Sequence, residues 1–244
     1  MHPEWITPEW PAPANVRALV TTRIGGVSEG PFASLNLGAG VNDNVQAVAE
    51  NRARLRANLP ADPVWLAQVH GTHVVCADQC APGVMGDASW SHRESTVCIV
   101  MIADCLPILL CDTDGTTVAA VHAGWRGLSA GVVEQTVHAM QCPASRLVAW
   151  LGPAIGPDHF EVGDEVRAAF LSAAPEAEAA FRPGRSGKWM ANLYQLATQR
   201  LRKLGVTEIS GGGTCTYHDA RRFFSHRRDS VCGRMAAAIW LQHK

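Results

Sequence analysis

Apolar positions gather in short unbroken runs: VRALV from Val16, CIVMI from Cys98, LPILL from Leu106, VAAV from Val118, LVAWL from Leu147 and MAAAIWL from Met235. Glycine, proline or acidic residues close most of them, so they read as strands, several buried on both faces. Between the runs, apolar residues return at near-helical spacing in 43–59, 129–141, 163–174 and 190–205, which predicts four helices, the first capped by Asp43 or Asn44. The stretch 64–77 predicts two short strands broken at Gly71, and 206–217 predicts another strand. Residues 174–188 read as a polar connection, the weakest ordered part of the chain. Strands and helices mix without strict alternation, and no linker or internal repeat divides them. The expectation is one α/β or α+β domain with mixed sheets, spanning residues 1–244.

Composition narrows the setting. Of 244 residues, 47% are hydrophobic and 18% charged, as in a compact globular protein, and the formal charge of −1 gives no overall field for nucleic acid or an anionic membrane. The local exception is RRFFSHRRD, from Arg221. The N-terminal stretch carries acids and prolines where a signal peptide needs a basic start and an apolar core, and no apolar run is long enough to span a bilayer. A cytoplasmic location is expected. Eight cysteines without a C-x-x-C pair then read as thiols.

Three residues stand where apolar strands stop: His70 in QVHG, Cys105 in ADCLP and His122 in VHAGWRG. Strand ends face a rim where sites are commonly built. Two imidazoles and a thiolate form a zinc ligand set with one coordination position left open, as catalytic sites require. The same trio also suits a Cys–His pair, with a histidine lowering the thiol pKa of Cys105 and Asp104 orienting the imidazole, or two satisfied histidines beside a buried thiol. Spacing does not separate these. Arg23, in the glycine-rich TTRIGG, is a candidate for binding phosphate or forming a surface ion pair, and Arg126 in GWRGL is an anion fork or a salt-bridge partner. The cluster Tyr217, His218, Phe223, Phe224, Ser225, Arg227 and Arg228 could stack a base and hold an anion, or be packing beneath a charged face.

The ordered blocks TTRIGGVSEGPFASLNLG, NRARL, QVHG, ADCLPILLCD, VHAGWRGL, LGPAIG and CTY…FFSHRRD…GRMAAAIWL resemble the YfiH-type family across about residues 15–241. These are the laccase-domain, or multicopper polyphenol oxidase-like, proteins regarded as purine nucleoside phosphorylases. The resemblance implies an α+β single-domain, four-layer αββα sandwich with mixed sheets. It implies Zn²⁺ held by His70, Cys105 and His122, which are also the expected catalytic residues. The implied reaction splits adenosine, inosine, guanosine or S-methyl-5′-thioadenosine with phosphate into the free base and a (methylthio)ribose 1-phosphate, with adenosine deamination as an added activity. Copper-dependent polyphenol oxidation and cysteine-based editing of peptidoglycan precursors are the alternatives. Small purine nucleosides and phosphate are the expected partners of a monomer or homodimer, with Arg23 for phosphate and Asn36 for ribose or base. Departures from the family pattern stand out: Gly40 takes the place of a histidine, Asn42 that of a glycine, and Asn192 that of a common aspartate.

Overall fold

The apolar runs pair into sheets whose two faces feed different cores. A computed structural model describes residues 2–185 and 187–243. In chain order the strands are β1 (Val16–Val20), β2 (Val74–Cys76), β3 (Ala88–Ser91), β4 (Cys98–Ile102), β5 (Leu106–Asp112), β6 (Val118–Ala123), β7 (Leu147–Leu151), β8 (Glu161–Val162), β9 (Phe181–Pro183), β10 (Trp189–Ala191), β11 (Glu208–Gly211) and β12 (Met235–Leu241). The helices are α1 (Val45–Arg56), α2 (Trp125–Ala130), α3 (Val132–Ala139), α4 (Asp164–Leu171), α5 (Leu193–Leu204) and α6 (His226–Asp229). A mixed sheet runs β11-β7-β5-β6-β3-β2, an antiparallel sheet runs β1-β12-β4, and a small third sheet runs β8-β10-β9.

Side-chain alternation defines the layers. On β5, Leu106, Ile108 and Leu110 pack beneath α3, α4 and α5, while Leu109 and Cys111 face the other sheet. On β12, Met235, Ala237, Ile239 and Leu241 enter that intersheet core, while Ala236, Ala238 and Trp240 meet Leu55 of α1 on the outside. The order is therefore α1, three-stranded sheet, six-stranded sheet, then α2 to α5. This is the αββα arrangement implied by the resemblance, and it explains why the central runs lack polar alternation: both faces of each strand are covered.

Several elements differ from the sequence reading. The first strand expected in 64–77 reduces to isolated bridges at Val64 and Ala67, because that stretch crosses toward the cleft and pairs at single points. The helix expected over 129–141 is two helices, broken at Gly131 with φ +102°, a left-handed conformation that suits glycine. The supposed polar connection 174–188 carries a 3₁₀ helix, Pro175–Ala180, and strand β9, held by burial of Ala177, Ala180 and Phe181. Its Ser186 lies outside the described residues. Strands β3, β8 and β10 were not anticipated, being too short to show a period.

Asn51 on α1 fastens the glycine-rich loop after β1. Fully buried, it accepts from Val27 N–H at 2.8 Å and donates to Ser28 Oγ, Ser34 O and Asn36 O. Gly26 lies so close beneath Ser34 that a Cβ would fall 2.1 Å from its carbonyl oxygen. Asn51→Ala leaves a buried donor and acceptors unpaired and is expected to lower unfolding free energy by about 2–4 kcal/mol in equilibrium urea denaturation.

Candidate metal centre

Strand register brings Cys105 and His122 to one end of the six-stranded sheet. β3 pairs antiparallel with β6 with Ala88 opposite Val121, so Asp87 stands beside His122. β5 pairs with β6 with Leu106 opposite Ala123, so Cys105 stands beside Gly124. His122 shares the parity of Val118 and Ala120, the intersheet face, and points into the opening where the sheets part. His70 arrives from the loop before β2, with φ +60°. One ligand atom from each of His70, Cys105 and His122 lies within 4.8 Å of the others, and the two imidazoles meet edge-on at 4.8 Å between centroids.

Asp87 organises this group. It is fully buried, and its carboxylate accepts from the main-chain N–H of His70 at 2.8 Å, of Gly71 at 2.7 Å and of Val69 at 3.3 Å. The same carboxylate lies 2.9 Å from Nδ1 of His122, and the main-chain N–H of His122 donates to the Asp87 main-chain carbonyl at 2.7 Å. Pairing Nδ1 with Asp87 fixes the ring and leaves Nε2 as the atom free to ligate. Burial alone would raise the Asp87 pKa, yet the hydrogen bonds from His122, Gly71 and His70 and the His122 charge hold it below the usual carboxylate range. Burial likewise opposes a thiolate at Cys105, but the His122 charge and hydrogen bonds from His122 and His70 outweigh it and bring the thiol down to about 6. Burial opposes a charged His122, but the Cys105 thiolate and the Asp87 hydrogen bond outweigh it and raise the imidazole to about 9. Without a metal the centre is thus a thiolate–imidazolium pair.

Two nitrogens and a soft thiolate, with one imidazole fixed by a carboxylate through its other nitrogen, fit a first-row metal such as zinc or copper. The glycines of VHAGWRG serve this packing. A Cβ on Gly124 would sit 2.9 Å from Cys105 Sγ and 3.1 Å from His70 Cδ2, and one on Gly127 would sit 2.6 Å from the Gly71 carbonyl. Neither position admits a side chain without displacing a candidate ligand or its loop.

The group opens on a cleft of about 1150 Å³ whose walls include Trp65, Trp125, Phe160, Arg126 and Arg227. Other expected residues lie elsewhere. Arg23 is not among the lining residues; its Nε donates to Ala33 O at 2.8 Å, its Nη1 to Ala220 O at 3.1 Å, and it stacks on Phe224. It clips two loops together. Asn36 is fully buried, accepting from Gly38 and Arg234 N–H and donating to Gly38 O and Asp43, with no polar atom left for a ligand. Asp104 does not orient an imidazole: it accepts from Thr216 Oγ1, Ser225 Oγ and Arg227 N–H at 2.6, 3.0 and 2.7 Å. Phe223 and Phe224 are buried in the intersheet core, and Arg228 donates to the carbonyls of Thr216, Tyr217 and Phe223, so this part of the cluster is packing. Gly40 lines the cleft with open space where a Cβ would be, so the histidine that the resemblance implies at this position would have room. Asn192 caps α5 by accepting from Gln195 N–H, a task aspartate performs equally.

Asp87 was missed by sequence reasoning. A lone acid before a short strand has no period or motif; its only signal was the turn residue pair Gly86–Asp87.

Comparison with known proteins agrees with this architecture. Residues 17–242 match the family described as multi-copper polyphenol oxidoreductase laccase. A purine nucleoside phosphorylase of Pseudomonas aeruginosa is 56% identical over 239 residues, covering 98% of each chain. The purine nucleoside phosphorylase YfiH of Escherichia coli (strain K12) is 54% identical over 239 residues, covering 97% of this chain and 98% of its own. The crystal structure of a Neisseria meningitidis protein matches with a TM-score of 0.95 at 48% identity, covering 98% of this chain and 100% of that one. YlmD from Geobacillus stearothermophilus matches at 0.87 and 32% identity, over 94% of this chain and 93% of its own. With its fold and nearly its whole length matched in this way, the chain belongs to the multi-copper polyphenol oxidoreductase laccase family, among relatives named purine nucleoside phosphorylase.

Proposed function

We propose that this protein is a zinc-dependent purine nucleoside phosphorylase, acting on adenosine, inosine, guanosine or S-methyl-5′-thioadenosine. One observation carries the reading: the His70–Cys105–His122 group opens onto an aromatic-walled cleft, in a chain more than half identical to proteins named for this activity. His70, Cys105 and His122 hold the metal, which when bound supplies positive charge to stabilise the electron pair that departs with the purine. Asp87 keeps the His122 ring aligned and its Nδ1 proton in place. Trp125, Phe160 and Trp65 give the cleft flat apolar walls against which a purine can stack and from which water is displaced. A phosphate oxygen forms its bond to C1′ while the C1′–N9 bond breaks, and the pair of that bond leaves with the base. Adenosine deamination belongs to the same reading, as does a cytoplasmic setting in which the Cys105 thiol stays reduced.

The direct test supplies adenosine and phosphate to protein purified without added metal, and measures adenine, ribose 1-phosphate and ammonia beside metal content. Ribose 1-phosphate in step with about one zinc per chain is expected. Copper with oxidation of a phenol, or turnover of a wall-precursor peptide with no ribose 1-phosphate, would overturn the reading. Asp87→Asn is expected to weaken metal binding by about 10- to 100-fold in chelator competition, because the hydrogen-bond partner of His122 Nδ1 loses its charge. In metal-stripped protein, the thiolate fraction of Cys105 grows as pH rises through about 6. Peptide-mapped iodoacetamide labelling of Cys105 should therefore level off by about pH 8, whereas an ordinary thiol with a pKa of about 8.5 is still climbing there.

A further inference from the structure

Phosphorolysis needs an anion site, and Arg23, the residue singled out for it by sequence, is occupied with main-chain carbonyls away from the cleft. The cleft holds its own cations. Arg126 lies in the first turn of α2, four residues after His122, lines the cleft and is exposed. Among the described residues no carboxylate pairs with it; its guanidinium lies over the Trp125 ring, 4.4 Å from the ring centre, a contact that uses none of its N–H donors. Arg227 lines the same cleft, also exposed and also without a carboxylate partner among the described residues. It stands over the Phe160 ring at 5.3 Å, with Nη1 donating to Glu161 O at 2.7 Å and the rest of the fork open.

The placement of Arg227 is tied to the metal centre. Its main-chain N–H donates to Asp104, the residue directly before Cys105, and Asp104 turns the chain there with φ +91°. The carboxylates that line the cleft do not neutralise these arginines. Asp104 is saturated by Thr216, Ser225 and Arg227 N–H; Glu161 accepts from Arg185 N–H; and Glu165 is in no ion pair among the described residues. Arg126 and Arg227, each set over an aromatic ring and without a carboxylate partner among the described residues, line the same cleft as the His70–Cys105–His122 group, and guanidinium forks of this kind suit a tetrahedral dianion.

We propose that Arg126 and Arg227 are the phosphate-binding residues of this cleft, Arg126 as the principal donor and Arg227 as the second. The assignment rests on the phosphorylase reading for its substrate, inorganic phosphate, but not for its test, since binding of the anion is measurable without turnover.

Inorganic phosphate is titrated into the as-purified wild type, Arg126→Met, Arg126→Lys, Arg227→Met and the double methionine variant by calorimetry, with Arg17→Met, on the outer strand β1, as control. Thermal melting and metal content establish that each variant is folded and loaded. Saturable binding to wild type and control is expected, weakened by about tenfold or more in Arg126→Met, less in Arg227→Met, and abolished in the double variant, because each substitution removes a charge-assisted contact to the anion. Arg126→Lys should recover part of the loss, keeping the charge but not the fork. In steady-state assays the KM for phosphate should rise in parallel while the KM for nucleoside stays within about threefold. Equal phosphate affinity in wild type and the double variant, or no phosphate binding to wild type, overturns the assignment. A raised KM for nucleoside with an unchanged KM for phosphate also overturns it and assigns the arginines to the nucleoside. Arginine-dependent phosphate binding without any cleavage of nucleoside leaves the assignment standing and removes the phosphorylase reading instead.

Discussion

A single buried carboxylate holds the candidate centre together. Asp87 is taken wholly out of water, an arrangement that costs several kcal/mol unless hydrogen bonds and charge compensate. Its partners are the main-chain N–H groups of Val69, His70 and Gly71 and the ring of His122. Satisfying the charge therefore fixes both the loop that presents one imidazole and the rotamer of the other. The left-handed backbone at His70 is held by this arrangement, since all three donors must turn inward together to reach one side chain. The coupling extends to Cys105. A charged His122 favours the thiolate and the thiolate favours the charged His122, so the two titrate as a pair, with the Asp87 hydrogen bond adding to the support of the imidazolium.

A second carboxylate plays a structural counterpart on the opposite wall. Asp104 joins the turn between β4 and β5, where Cys105 is carried, to Thr216, to Ser225 and to the first turn of α6. The C-terminal segment is thereby locked against the centre, with Arg227 projecting into the cleft and Phe223 and Phe224 driven between the sheets. The RRFFSHRRD stretch divides its labour accordingly: the aromatics are core, Arg228 braces carbonyls, and Arg227 is free to meet a ligand. Glycine positions divide in the same way. Gly124 and Gly127 let the strand end and helix start nest against candidate ligands, so their smallness serves the centre itself.

How far the site was legible follows from which forces act locally. His70, Cys105 and His122 were visible because an apolar run that stops at a histidine or cysteine is an anomaly in a one-dimensional pattern. Their convergence was not, because it depends on register across β3, β6 and β5. Asp104 was noticed for the wrong partner: adjacency to Cys105 in sequence suggested service to the imidazoles, but left-handed backbone at Asp104 turns it toward Thr216 and Ser225. Arg23 and Asn36 attract attention as polar residues in a glycine-rich loop, yet the loop itself uses their donors and acceptors.

The sequence by itself determined the strands and helices long enough to show a period, the absence of polar alternation that buries the central sheet, and the three side chains able to bind a metal. These are local matters of hydrophobic spacing and donor chemistry. The tertiary structure alone decided that Asp87 fixes the His122 ring, that Arg126 and Arg227 have no carboxylate partner among the described residues while Arg23 is held by main-chain carbonyls away from the cleft, and that Pro175–Ala180 and Phe181–Pro183 form a 3₁₀ helix and a strand. Each of these depends on which groups meet across strands distant in the chain, and hydrogen-bond satisfaction of buried charge is settled only once those strands are in register.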